Sequence, residues 1–233
     1  MEIFHYLKEN EENILRDIEN LVKHESPSFD KRLVDECASF LQGLVKERLD
    51  IAVTVIPNKH VGNHLKFLFG EGNKRVMILA HYDTVWKKGA LPFRLEKNRI
   101  YGPGVLDMKA GIIQGIWGLK AIKDLGKNLN CEVIFLLTSD EEMFSQTSRE
   151  LIENEAKKCK AVFVVEPAVA KSNALKISRK GAAKYTIKIY GTASHAGNHP
   201  DLQASAVHEL GHQIINLEKI ADLDKGTTIN VGV

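Results

Sequence analysis

Apolar residues recur at helical spacing over residues 3–22, and a second amphipathic stretch covers residues 34–45. The first pattern predicts a helix that ends at the Ser26-Pro27-Ser28 segment, because proline disfavours helix at the residue before it. The segment 51–57, IAVTVIP, is rich in β-branched residues and predicts a strand. The chain is therefore expected to open as helix, helix, strand.

Short apolar runs then alternate with helical stretches as far as residue 166. The predicted elements are strand 65–69, strand 75–80, helix 110–125, strand 131–138, helix 147–158 and strand 160–166. The runs VIFLL and AVFVV, in the last two strands, are continuously apolar and predict strands buried on both faces. This order predicts an α/β fold with a mixed, largely parallel sheet sandwiched by helices.

The pattern changes near residue 175. Residues 184–191 alternate apolar and polar side chains, as a strand with one solvated face would, and are followed by a predicted helix at 204–217 and a strand at 227–233. We expect one domain over residues 1–175 and the first part of a second over 176–233. Because the second is too short to bury a core of its own, we expect further sequence beyond Val233.

The composition is that of an ordinary globular protein, with 44% hydrophobic and 27% charged residues among 233. The formal net charge is +2, and the basic residues are scattered, so the sequence shows no electrostatic footprint for nucleic acid. A small-molecule partner is expected.

The three cysteines, Cys37, Cys131 and Cys159, are odd in number and form no C-x-x-C pair. This argues against a disulfide framework and indicates a reducing compartment. The N-terminus has no apolar leader and the longest apolar runs are far shorter than the ~18 residues of a membrane span. We therefore expect a cytoplasmic protein without membrane contact.

Polar side chains, mostly acidic, follow the predicted strands. His81 and Asp83 follow one strand, residues 139–142 follow the next, Glu166 ends a third, and Asp107 follows a Gly-Pro-Gly turn. Ligands of α/β sheets collect at the carboxyl ends of strands, and carboxylates gathered there would repel one another unless cations neutralised them. His with Asp and Glu suits zinc or a similar divalent ion, and several carboxylates suit two ions.

Five motifs lie in order along the chain. They are His81-x-Asp83-Thr84-Val85, Gly102-Pro103-Gly104-x-x-Asp107-Met108-Lys109, Thr138-Ser139-Asp140-Glu141-Glu142, Val165-Glu166-Pro167 and Ser194-His195-Ala196-Gly197. As a set, over about residues 75–233, they resemble the co-catalytic zinc exopeptidases and deacylases, which include glutamate carboxypeptidase, aminoacylase, acetylornithine deacetylase and succinyl-diaminopimelate desuccinylase. The resemblance rests on the whole set, because any one motif alone would be weak evidence for the family. The resemblance implies that residues 1–175 form a metal-binding catalytic domain and 176–233 the first part of an inserted α+β lid and dimerisation domain.

The resemblance also implies the metal ligands. His81 and Glu166 would bind one divalent ion, Glu142 the other, and Asp107 would bridge the two. Zinc is the expected metal, with cobalt or manganese as alternatives. The family's last ligand is a His near the C-terminus of the full-length chain, which residues up to 233 do not supply.

Three further residues receive catalytic roles from the resemblance. Asp83 would hydrogen-bond the imidazole of His81 and fix its tautomer, and Glu141 would be the general base. His195 would reach the substrate carbonyl oxygen in the active site of a partner subunit, so a homodimer is expected.

The sequence departs from the family pattern at two places. After Glu142 the family usually has a pair of small residues, whereas this chain has Met143-Phe144, and Phe144 would either intrude beside the metal ions or turn into the core. Ala110 replaces a common Gly and is easily tolerated at a helix start.

A separate motif, His208-Glu209-Leu210-Gly211-His212, matches H-E-x-x-H, which on a helix can bind zinc. The longer signature that would extend it is missing, since Ile215 and Glu218 stand at its Gly and His positions. We interpret this stretch as a surface or dimer-facing helix.

Together these observations predict metal-dependent hydrolysis of an amide bond in short peptides or N-acyl amino acids. A carboxypeptidase is favoured, because Glu166 and residues 179–197 most resemble glutamate-carboxypeptidase-like members. The alternatives are an N-acyl amino acid deacylase and a non-catalytic, dimer-forming fragment or regulatory relative that lacks the last metal ligand.

Overall fold

The computed structural model describes residues 2–195, 197–198 and 204–232. The chain divides into two compact units, Met1–Lys176 and Ile177–Val233. None of the described helices is both long and apolar enough to cross a membrane.

Three helices precede the sheet of the first unit: α1 (Glu2–Glu9), α2 (Glu11–Lys23) and α3 (Lys31–Leu49). The predicted first helix is thus two helices, separated at Asn10. The side-chain amide of Asn10 donates to the carbonyl of Tyr6 at 2.9 Å, a local bond with which asparagine interrupts helical hydrogen bonding. At the start of α3, Asp30 accepts a hydrogen bond from the backbone of Leu33 and caps the helix.

Seven strands and two further helices complete the first unit. They are β1 (Thr54–Ile56), β2 (His64–Phe69), β3 (Arg75–His81), β4 (Arg94–Glu96), β5 (Arg99–Tyr101), α4 (Ala110–Asp124), β6 (Glu132–Thr138), α5 (Arg149–Ala156) and β7 (Ala161–Val164). The main sheet has the order β1-β2-β6-β3-β7. Strand β3 runs parallel to β6 and β7, whereas β2 runs antiparallel to β1 and β6, so the sheet is mixed.

The core lies on both faces of β6. Helices α2, α3 and α4 pack one large apolar cluster against the sheet, and α5 covers the opposite face near Met77, Ile134 and Leu136. This confirms the prediction that VIFLL is buried on both faces. The same prediction for AVFVV is wrong, because Phe163 is 56% exposed. Strand β7 pairs only with β3 at the edge of the described sheet.

The sequence did not predict the hairpin of β4 and β5, which pair antiparallel between β3 and α4. Its turn places Lys97 at a positive φ of 54°. Two neighbouring side chains, Phe93 and Ile100, pack against the large core cluster. The hairpin is therefore attached to the core by few apolar side chains. A strand prediction based on long apolar runs does not detect such a short element.

The second unit contains helix α6 (Ala206–Glu218), close to the predicted helix at 204–217. Ser205 caps it by accepting a hydrogen bond from the backbone of His208. The strands predicted at 184–191 and 227–233 are wrong for the described residues, which show isolated bridges at Thr192 with Ala204 and Asp222 with Thr227. An alternating segment becomes a strand only when a neighbour completes its ladder of hydrogen bonds.

Candidate metal site

The carboxyl ends of two parallel strands carry most of the predicted site. His81 ends β3 and lies opposite Thr138, which ends β6. The chain after β6 turns at once into a single 3-10 turn, Glu141–Met143, so both glutamates stay at this edge of the sheet. Glu166 follows the neighbouring β7. Parallel pairing thus collects side chains from distant parts of the sequence, as the motif positions predicted.

Asp107 reaches the same edge from a compact loop before α4. Gly104 opens the loop at a positive φ of 70°, and a Cβ there would collide with the side chain of Thr84. The backbone amide of Lys109 donates to the carbonyl of Gly104 at 2.8 Å and closes the loop. The peptide bond between Asp107 and Met108 is cis.

A buried lysine, Lys109, attaches this loop to helix α2, and the sequence analysis assigned it no role. The ammonium of Lys109 donates to the carbonyls of Leu21 and His24, at 3.2 and 2.8 Å, at the end of α2. Burial lowers the pKa of Lys109, and a cation near the carbonyl end of a helix also meets the negative end of its dipole. The signal in the sequence that could have indicated this role is the position of Lys109 at the end of the motif that contains Asp107.

Four acidic side chains, Asp107, Glu141, Glu142 and Glu166, form one cluster around the imidazole of His81. Its Nε2 lies 3.0 Å from Asp107 Oδ1, 3.3 Å from Glu166 Oε1 and 3.8 Å from Glu141 Oε2. Two sets of three ligand atoms lie within 4.8 Å of one another: His81 with Glu141 and Glu166, and His81 with Asp107 and Glu142. Because a single Nε2 binds one cation, these overlapping sets describe one cluster rather than two separate sites.

The orientation of His81 suits a metal ligand. Its Nδ1 lies 3.1 Å from the backbone carbonyl of Asp83 and 3.4 Å from the carboxylate Oδ1 of the same residue. A carbonyl only accepts hydrogen bonds, so Nδ1 carries a proton and Nε2 is the atom turned toward the acidic cluster. Burial acts to lower the pKa of His81, but hydrogen bonds to Asp107, Asp83 and Glu166 outweigh it and raise that pKa to about 12.

Asp83 also does more than the sequence suggested. Its carboxylate is fully buried and accepts hydrogen bonds from the backbone amides of Glu141 and Glu142, at 3.2 and 3.3 Å. The hydroxyl of Ser28 donates to it at 2.8 Å. One side chain therefore fixes the backbone of both adjacent glutamates, and the Ser26-Pro27-Ser28 segment, interpreted above only as a helix end, contributes to the site.

The pKa values of the carboxyl groups are shifted by their burial and by the neighbouring charges. Burial, and then the charge of Asp107, raise the pKa of Glu142 to about 7. Burial also raises the pKa of Glu141, with Glu166 and Asp107 adding to the effect and His81 opposing it. The hydrogen bond with His81 lowers the pKa of Asp107 despite its partial burial. Divalent cations would relieve this repulsion, so the donor set fits such ions.

The two departures from the family pattern have clear local structures. Phe144 follows the 3-10 turn at a positive φ of 66° and is 59% exposed, so it does not turn into the core. Ala110 begins α4 with ordinary helical geometry.

His195 and the H-E-x-x-H residues lie in the second unit. The Nδ1 of His195 accepts hydrogen bonds from the backbone amides of Gly197 and Asn198, at 3.1 and 3.2 Å, which leaves the proton on Nε2. Ala196, in the same motif, lies outside the described residues. The rings of His208 and His212 stack on α6 with centroids 4.9 Å apart, and within the described part of the chain neither belongs to a set of three metal-competent ligands.

Comparison with curated proteins gives relatives along nearly the whole chain. It is 31% identical over 236 residues to carboxypeptidase G2 of Pseudomonas sp. (strain RS-16), covering 98% of this chain and 56% of that protein. It is 26% identical over 196 residues to succinyl-diaminopimelate desuccinylase of Orientia tsutsugamushi (strain Ikeda), covering 78% of this chain and 50% of the relative. The chain thus spans about half the length of these relatives.

Solved structures share the fold. The Saccharomyces cerevisiae di-peptidase Dug1p matches with a TM-score of 0.69 at 19% identity, over 99% of this chain and 56% of that one. The metallo-carboxypeptidase Sso-CP2 of Sulfolobus solfataricus matches with a TM-score of 0.60 at 22% identity, over 69% and 38%. The model of peptidase family M20/M25/M40 matches residues 77–228, the span that holds every motif described above. This chain therefore belongs to peptidase family M20/M25/M40.

Proposed function

We propose that this protein hydrolyses an amide bond in short peptides or N-acyl amino acids with the help of two divalent metal ions. The observation that carries the proposal is the single acidic cluster around His81 at the carboxyl edge of the sheet. Membership of the family supports metal-dependent amide hydrolysis in general. The similarity to carboxypeptidase G2 favours a carboxypeptidase over an N-acyl amino acid deacylase.

In this proposal His81 and Glu166 would hold one ion, Glu142 would hold the other, and Asp107 would be shared between them. Their donor atoms suit zinc, with cobalt or manganese as alternatives. When bound, such ions polarise an amide carbonyl and lower the pKa of water. The remaining chemistry belongs to the chain's own side chains.

Glu141 is the proposed general base, which takes a proton from the attacking water at a carboxylate oxygen and passes it to the leaving nitrogen. Its raised pKa supports this role, because a base works best when its pKa lies nearer to the working pH. Asp83 keeps Glu141 in place through the backbone amide and sets the tautomer of His81. Adjacent glutamates can thus take different roles.

We propose that His195 donates from Nε2 to the substrate carbonyl oxygen in the site of a second copy, which requires a homodimer. The exposure of its side chain and the proton placed on Nε2 support a donor role. Pairing of a strand edge from residues 184–191 does not support this dimer, because these residues form no strand. Sedimentation, and mixing of a His195→Ala variant with a Glu141→Gln variant, would test this: restored activity in the mixture requires exchange between copies.

A cytoplasmic location is proposed from the cysteines. Cys37, Cys131 and Cys159 are all free, as expected in a reducing compartment.

The proposal is tested by comparing Glu141→Gln with Glu142→Gln. Loss of a general base typically costs ~10²–10⁴-fold in turnover, so Glu141→Gln should lose kcat by about that factor and keep its metal. Glu142→Gln should lose metal together with activity, because an amide is a poorer ligand. The assay is hydrolysis of a panel of dipeptides and N-acyl amino acids, with metal content measured by mass spectrometry.

Near-normal kcat in Glu141→Gln, or metal loss in that variant alone, would overturn the assigned roles. Metal binding by the unmodified protein without turnover of any substrate would support the non-catalytic alternative instead.

A further inference from the structure

We infer that His64 is a positioning residue for the two glutamates of the metal site, acting through Thr147 and Asp140. The inference rests on the proposed function, because it assigns to His64 the task of holding Glu141 and Glu142 where that function needs them. None of the motifs described above contains His64 or Thr147.

His64 begins β2 and is 2% exposed. Its Nδ1 lies 3.2 Å from the backbone amide of Ser139, the residue that follows β6. The hydroxyl of Ser139 is close to the same nitrogen but donates its only proton to the carbonyl of Gly62. The Nδ1 atom therefore accepts from the backbone, and the ring proton lies on Nε2.

The ring proton continues the chain of hydrogen bonds. His64 Nε2 lies 3.0 Å from the hydroxyl of Thr147, and that hydroxyl lies 2.8 Å from Asp140 Oδ2. A carboxylate oxygen only accepts, so Thr147 donates to Asp140 and accepts from His64. Both nitrogens of the ring are thus used with fixed direction, and burial lowers the pKa of His64, which favours this neutral form.

Asp140 is the connection to the metal site. It is fully buried, and the same Oδ2 also accepts from the backbone amides of Thr147 and Ser148, at 2.7 and 3.2 Å. Its backbone carbonyl accepts from the amides of Met143 and Ser145, at 3.2 and 2.8 Å. Asp140 is therefore bonded on its side chain to the start of α5 and on its main chain to the turn that contains Glu141 and Glu142.

Two buried residues hold this turn, Asp83 through its side chain and Asp140 through its backbone carbonyl. Asp83 accepts from the amides of Glu141 and Glu142, whereas the carbonyl of Asp140 accepts from the amides of Met143 and Ser145, which follow them. His64 and Thr147 determine the orientation of Asp140, since Thr147 supplies two of the three hydrogen bonds to Oδ2. Partners of this outer kind typically change metal affinity by 10–100-fold when removed.

The sharpest test is the pair Thr147→Val and Thr147→Ser. Valine keeps the shape of threonine but removes the hydroxyl, whereas serine keeps the hydroxyl and loses only a methyl group. Zinc affinity would be measured by calorimetry on the full chain, together with hydrogen exchange of the amides of residues 141–148 in the presence of a chelator. Exchange of β3 amides serves as the internal reference for overall stability.

We expect Thr147→Val to bind zinc at least 10-fold more weakly and to exchange the amides of residues 141–148 about 10-fold faster, with β3 unchanged. Thr147→Ser should match the parent protein in both measurements. His64→Gln, which can still donate from its side-chain amide to Thr147, should be affected less than His64→Leu.

The inference is overturned if Thr147→Val and Thr147→Ser behave alike, in zinc affinity and in exchange. Failure of the proposed function looks different: the unmodified chain would then bind no zinc at this site, while the exchange comparison would still report on the hydrogen bonds of His64. A uniform rise in exchange, including β3, would assign Thr147 to general stability and would also overturn the inference.

Discussion

Replacing Asp83 by Asn tests whether one buried carboxylate supports the whole edge of the metal site. The two side chains have nearly the same shape, so the change is almost purely electrostatic. Asp83 Oδ1 accepts from the amide of Glu141 and lies near His81 Nδ1, while Oδ2 accepts from Ser28 and Glu142. Asparagine has one oxygen and one NH₂ group, so either orientation places an N–H group against donors.

The magnitude follows from these contacts. Hydrogen bonds to charged groups contribute about 1.5–3 kcal/mol each, and a buried donor left without a partner costs about 1–3 kcal/mol. Breaking a buried charged network by removing one partner costs about 3–5 kcal/mol. Because Asp83 is fully buried, we expect Asp83→Asn to lower the free energy of unfolding of the first unit by about 3–5 kcal/mol.

The assay is urea unfolding at pH 7 followed by tryptophan fluorescence. Both tryptophans, Trp86 and Trp117, lie in the first unit, so the signal reports on that unit alone. The matched control is Ser28→Ala, which removes one donor and leaves the carboxylate bonded to the backbone of the glutamates. We expect the control to lower the free energy of unfolding by about 1.5–3 kcal/mol, the value of one hydrogen bond to a charged group. The reasoning is refuted if Asp83→Asn loses no more than Ser28→Ala.

Two further predictions concern the same edge of the sheet. Because the pKa of His81 is raised to about 12 and that of Glu142 to about 7, both proposed ligands carry protons at pH 7, so binding of the cations should release at least one proton and tighten as the pH rises. Calorimetric zinc titrations in two buffers of different ionisation enthalpy would measure the release, and equal enthalpies would contradict it. Gly111→Ala places a methyl group against the carbonyl of Val165 and should lower the free energy of unfolding by about 1–3 kcal/mol. In Gly118→Ala, on the same helix, the added methyl group meets nothing within 4 Å, so the free energy of unfolding should stay the same or rise. Thermal unfolding of both variants checks this, and equal melting temperatures would show that α4 can move away from Val165.

The sequence was most informative where a side chain follows a long apolar strand. His81 and Glu142 could be placed at one edge because β3 and β6 are parallel and each contains an apolar run, which is buried in β6 and partly buried in β3. Their gathering needs no knowledge of side-chain packing, only the rule that parallel strands end at the same edge.

Contacts between residues far apart in sequence could not be predicted. Ser28 reaches Asp83 across 55 positions, and Lys109 reaches Leu21 across 88. Neither separation leaves a periodic signal. The strand prediction for the alternating segment 184–191 is wrong for a related reason. Alternation describes the two faces of a strand and does not indicate whether a neighbouring strand is present.

The buried ammonium of Lys109 makes the N-terminal helices inseparable from the loop that carries Asp107. It is fully buried, and both of its acceptors are carbonyls at the end of α2. A shortened form that began after α2 would remove the carbonyl of Leu21, one of the two acceptors of this ammonium, together with the apolar side chains of α2 that pack in the same core. During evolution, recombination that exchanged the first 24 residues would therefore have to preserve the path of the backbone at Leu21 and His24, because Lys109 donates to their carbonyls rather than to their side chains.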